Sequence, residues 1–127
     1  MKKIVQLIGI VTSTLLVSSC YNDQLPEEPL PANVSYNKDI QGLFNKNCAG
    51  CHSAAIKPNL TIGNSYNALM PIDPATGETY VIPGDAAASK LYRAMTGNGM
   101  PIMPPNGALS ASKIAIVEKW INDGAAN

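Results

Sequence analysis

The chain has 127 residues, with nine Lys and Arg against nine Asp and Glu, and a single His. That length holds one domain, the balanced charge excludes a strongly basic nucleic-acid-binding surface, and no apolar run beyond the N-terminus could span a membrane. Apolar residues make up 46% of the chain but include much Ala, with one Phe and one Trp. A small domain so short of large side chains needs a staple, a metal or a cofactor to complete its core.

In chain order, Lys2 and Lys3 precede an apolar stretch from Ile4 to Val17 that exits through Ser18, Ser19 and Cys20. A basic start, a short apolar centre and small residues at the exit predict an export signal over 1–19 rather than a membrane anchor. The Val17-Ser18-Ser19-Cys20 ending resembles the lipobox of bacterial lipoproteins. This resemblance implies cleavage before Cys20 and acylation of that cysteine. Several acyl chains together anchor stably where one would be marginal. Removing residues 1–19 leaves seven basic side chains against nine acidic ones, a net charge of −2. Residues 20–35 then read as a tether. Pro26, Pro29 and Pro31 among Asp23, Glu27 and Glu28 favour extended conformations and offer nothing to bury. At roughly 3.1 Å per residue, such a segment reaches about 45 Å.

The folding unit is expected over 36–127. Ser35 or Asn37 can cap a helix whose apolar face, Ile40, Leu43 and Phe44, runs through Asn47 into Cys48. There the chain reads Cys48-Ala49-Gly50-Cys51-His52. In an exported protein, C-x-x-C-H is the pattern of covalent c-type haem attachment. Two thiols three positions apart can each form a thioether with a porphyrin vinyl group, and the adjacent imidazole can serve as proximal axial ligand. Competing chemistries lack their parts: a structural zinc site needs four ligands, and the chain has one His and no second Cys pair. A thioredoxin-like pair would need a βαβ context, which is not visible.

Further on, a short helix is expected near Ser65 to Leu69, then a loop or small hairpin over 71–82 around Thr76-Gly77-Glu78. Pro83-Gly84-Asp85 predicts the start of a helix over 86–95, with Asp85 as N-cap and Leu91, Tyr92 and Met95 facing inward. Prolines and glycines exclude a helix from Gly97 to Gly107, the segment that carries Met100-Pro101-Ile102-Met103-Pro104-Pro105. Ser110 caps a last helix, Ala111 to Asn122, with Ile114, Val117, Trp120 and Ile121 on one side and Gly124 beyond its end. Because His52 is the only histidine, the sixth ligand is a methionine, something weaker or nothing. Met70, Met95, Met100 and Met103 are the candidates. Met70 and Met95 close helices and read as core filler, whereas a proline-stiffened loop can hold a thioether at little ordering cost.

These landmarks make the chain similar to class I c-type cytochromes of the small, exported, lipid-anchored mono-haem kind: C-x-x-C-H at the end of a helix, Pro-Gly-Asp-x-x-x-Ser, Met-Pro-Pro, and Trp-Ile-x-x-Gly-Ala near the end. The match covers Tyr36 to Ala125. The resemblance implies an all-α fold of three to five helices wrapped around one haem c, bound through Cys48 and Cys51, with iron held by His52 and Met103. Met100 also precedes a proline and is the second choice. It further implies that the two terminal helices cross near Phe44 and Trp120. Where many members carry a glycine one turn before that aromatic, Ile40 stands here, so a wider crossing is expected. Pro58-Asn59-Leu60 resembles the family's Pro-Asn-Leu, whose proline carbonyl accepts from the proximal His Nδ1–H and fixes the ring. The interval from His52 to Pro58 is shorter than in most members.

The function implied is one-electron transfer at a membrane face by a saturated iron, with no residue performing acid–base work. The alternatives are a dedicated redox subunit of an enzyme or respiratory complex, a ligand-sensing or peroxidatic haem with a dissociable Met, and a haem-free structural lipoprotein. Lys57, Lys90, Arg93 and Lys113 are read as scattered surface charges rather than a docking patch. Donor and acceptor proteins remain open, and no nucleic-acid partner is expected. An exported protein facing the periplasm follows, with Tyr21 after the lipidated Cys leaning toward the outer membrane.

Overall fold

The first helical segment starts where Ser35 and Asp39 exchange hydrogen bonds. The Asp39 carboxylate accepts from the Ser35 amide at 2.8 Å, and the Ser35 hydroxyl accepts from the Lys38 amide at 3.4 Å. This reciprocal cap selects Ser35 over Asn37 as the start. In the computed structural model, which describes residues 29–72 and 76–127, a widened π-helical segment Tyr36–Ile40 continues into α1, Gln41–Asn47. Then follow α2 (Ser65–Leu69), α3 (Lys90–Thr96) and α4 (Ala111–Asn122). Among the described residues there is no strand, only isolated bridges pairing Ile72 with Thr79 and Ile82 with Asp85. The fold is therefore all-α. The export segment 1–19, Cys20 and the first part of the tether lie outside the described residues.

One core joins these elements. Tyr36, Ile40, Leu43 and Phe44 meet Leu60, Leu69, Val81, Met95, Val117, Trp120 and Ile121 in a single buried cluster. The last helix packs on the Tyr36–Ile40 segment and on α3. Phe44 and Trp120 both belong to the core, but the aromatic ring stacked on Trp120 is Tyr36, at 5.3 Å between centroids. The crossing thus uses the beginning of the first helix, two turns before Phe44. Met95 is buried and Met70 packs against the core, as filler.

The chain departs from expectation at α3, which begins at Lys90 instead of Ala86. Asp85 is not its N-cap: the Asp85 carboxylate accepts from the Ala88 amide at 2.9 Å, and the Ser89 amide donates to the Ala86 carbonyl at 3.0 Å, closing turns before any helix forms. Buried Ser89 locks this turn, donating to the Asp85 carbonyl at 2.7 Å and accepting from the Ile82 amide at 2.8 Å. The whole Pro-Gly-Asp turn docks on the end of α4, through Gly84 N–H to the Ile121 carbonyl and Ala86 N–H to Asn122 Oδ1. Ser110 occupies the N-cap position of α4, yet its hydroxyl pairs with that of Ser112 instead of a helix amide.

Candidate functional site

The first helix ends by delivering Cys48 into a tight turn. Its amide donates to the Phe44 carbonyl at 2.8 Å, and its own carbonyl accepts from the amides of Cys51 (3.1 Å) and His52 (2.9 Å). Residues three and four apart on such a turn share a side, so both thiols and the imidazole belong to one short surface. Cys48 is half-buried and Cys51 exposed, and no disulfide joins them. Burial pushes the Cys48 thiol up to about 11, so it is protonated at neutral pH.

His52 is half-buried, and its Nδ1 is the one buried side-chain nitrogen or oxygen without a hydrogen-bond partner among the described residues. The expected bond from His52 Nδ1 to the Pro58 carbonyl is accordingly not formed. Pro58 is buried and follows a cis peptide, but the short loop after His52 is closed differently: the Leu60 amide donates to the His52 carbonyl at 2.8 Å. Leu60 itself is buried in the core. With Nδ1 turned inward, Nε2 is the ring nitrogen open to a ligand.

Met103 lies in the loop that follows α3. Its amide donates to the Ala94 carbonyl at 2.8 Å, tying the Met-Pro-Pro loop to α3, and its side chain is 37% exposed beside exposed Ile102. Met100 is half-buried in the same loop. An open cleft of about 260 Å³ is lined by Lys46, Asn47, Pro104, Leu109, Ser110 and Lys113, while Cys48, Cys51, His52 and Met103 lie outside its lining. Lys113 Nζ bridges it to Asn47 Oδ1 at 3.3 Å. The fold therefore places the residue before Cys48 and the residue after Met103 on one cleft. Two thiols, an imidazole with one open nitrogen, and a thioether fit the attachment and axial ligation of a haem c.

The basic residues do not gather. Arg93 pairs with Glu78 at 2.7 Å, Lys90 donates to Thr76 and lies over the Tyr80 ring, and Lys113 reaches Asn47. Among the described residues no cluster of His, Cys, Asp and Glu could hold a separate metal ion, and no helix is long and apolar enough to cross a membrane. Sequence reasoning gave no role to Gln41 or Ser65, both buried. The available signal was a polar residue at position 41, flanked by core residues Ile40 and Phe44 on the buried side of a helix. Compared with known families, residues 38–124 match the family model described as Cytochrome c. No significant match is found among curated proteins or among solved structures.

Proposed function

The chain belongs to the cytochrome c family, whose members bind haem c covalently, and from that premise we propose that it is a one-electron carrier with His/Met ligation, tethered to a membrane face through Cys20. The observation that supports this most is the Cys48-Ala49-Gly50-Cys51-His52 turn at the end of α1, which lies inside the residues that match the family. Cys48 and Cys51 would hold the group, His52 would ligate through Nε2, and Met103 would ligate from the other side. Bound there, haem c supplies a one-electron ferric/ferrous couple. With His52 and Met103 both serving as ligands, the group would have no site left for a substrate, which argues for transfer over catalysis. A neutral thioether from Met103 favours the ferrous state and raises the potential relative to a second imidazole. The Pro-rich tether would let the domain reach partners away from the lipid, on the periplasmic side.

Replacing the methionines tests the assignment. Met103→Ala is expected to abolish the thioether-to-iron charge-transfer band of the oxidised protein and lower its reduction potential, while Met100→Ala keeps both. Loss of the band in Met100→Ala alone would transfer the ligand role to Met100.

A further inference from the structure

Three polar side chains are sealed inside the core: Tyr36 and Gln41 at 5% exposure and Ser65 at 1%. They form a single directed chain. The Ser65 hydroxyl donates to Gln41 Oε1. That spends its only proton, so in the 2.6 Å contact between Tyr36 and Ser65 the phenol must be the donor. Gln41 Nε2 uses its protons on Asn45 Oδ1 at 2.8 Å and on the Leu60 carbonyl at 3.1 Å. The protons thus run from Tyr36 through Ser65 to Gln41, which divides its own two between Asn45 and Leu60.

Leu60 is where the chain meets the site. Its carbonyl is held by Gln41 and its amide donates to the His52 carbonyl at 2.8 Å. The imidazole has no ring hydrogen bond of its own, because His52 Nδ1 is buried without a partner. The hold on His52 therefore runs through the backbone, from α1 across Leu60. We infer that Gln41 is a positioning residue for His52: by fixing Leu60 from inside the core, it keeps the loop after His52 closed and sets the orientation of the proximal imidazole. This rests on the reading of His52 as an axial ligand.

The consequence is electrochemical. A loop released at Leu60 opens the proximal side to water. Water stabilises the more highly charged ferric state, and solvent access is one of the determinants of potential at such a site. Losing the Gln41 bond should therefore lower the potential, an effect that core destabilisation alone would not produce.

The experiment uses the full haem-bearing chain, with Gln41→Leu compared against Ile121→Val, a core change on α4 outside this network. Reduction potential is read by optical titration, His52 ring protons by their hyperfine-shifted resonances, and the Leu60 amide by hydrogen exchange. Gln41→Leu is expected to lower the potential, displace the His52 resonances and speed Leu60 exchange beyond the change in global stability. Ile121→Val should lose stability with the potential and resonances unchanged. If Gln41→Leu does not accumulate, Ser65→Ala, which removes the donor to the Gln41 oxygen and the acceptor of the Tyr36 phenol but leaves the Gln41 bond to Leu60, should change the same three readouts in the same direction by less. Native potential and native His52 resonances in the variants, with stability lost, would overturn the positioning role. A native protein without a haem spectrum would instead overturn the ligand reading beneath it.

Discussion

Tyr36 combines packing and polarity in one side chain. Its ring meets Tyr66 edge-on at 5.1 Å and Trp120 at 5.3 Å, while its hydroxyl reaches Ser65. Aromatic pairs of this kind contribute about 0.5–1.5 kcal/mol beyond burial alone. Burial raises the phenol above its ordinary 10.0, and Tyr66 adds to the rise. A group whose folded-state pKa is raised stabilises the fold fully below the unfolded value and loses that contribution as pH climbs through the folded value. Thermal melts of the native protein should therefore fall more steeply above pH 10 than those of Tyr36→Phe, which has nothing to ionise there. Parallel curves for the two proteins would remove Tyr36 from the alkaline response. At this scale the C-x-x-C-H pattern was fully legible, because its chemistry sits in five consecutive residues. That His52 Nδ1 has no partner was not, because it depends on the path of the loop to Leu60.

Among the elements, α4 was legible to its ends because its apolar residues recur at helical spacing and a serine precedes them. The end of that helix shows why the Trp-Ile-x-x-Gly-Ala pattern recurs. Gly124 at φ 104 and Ala125 at φ 51 turn the chain back, so that Trp120 Nε1 donates to the Ala126 carbonyl and the Tyr66 hydroxyl to the Ala125 carbonyl. A side chain at Gly124 would meet nothing within 4 Å, so Gly124→Ala isolates the backbone term. It should cost about 1–2 kcal/mol, measured by chemical unfolding, and an unchanged stability would contradict this account of the turn. The start of α3 was not legible. Its first amides are satisfied from a distance, Lys90 by the Thr79 carbonyl at 3.2 Å and Leu91 by the Tyr80 carbonyl at 2.9 Å. The 71–82 loop, whose role sequence left blank, is thus the cap of α3, and Arg93 fastens it through Glu78. A local reading of Pro-Gly-Asp could not anticipate a cap supplied by residues eleven positions before the amides they satisfy.

For the whole molecule, the family fold explains how so few large side chains suffice: the helices enclose a single core of modest size. The proposed anchoring is a property of the intact chain. Cys20→Ala should release a haem-bearing protein from the membrane fraction, seen by fractionation and absorbance, and retention in the membrane would contradict lipidation at Cys20. The most direct test of the electron-carrier reading is carbon monoxide added to the reduced, purified protein. Under the proposed ligation by His52 and Met103, the Soret band should stay in place. A stoichiometric shift of that band would mean an open or easily vacated position, and a ligand-binding protein in place of a carrier.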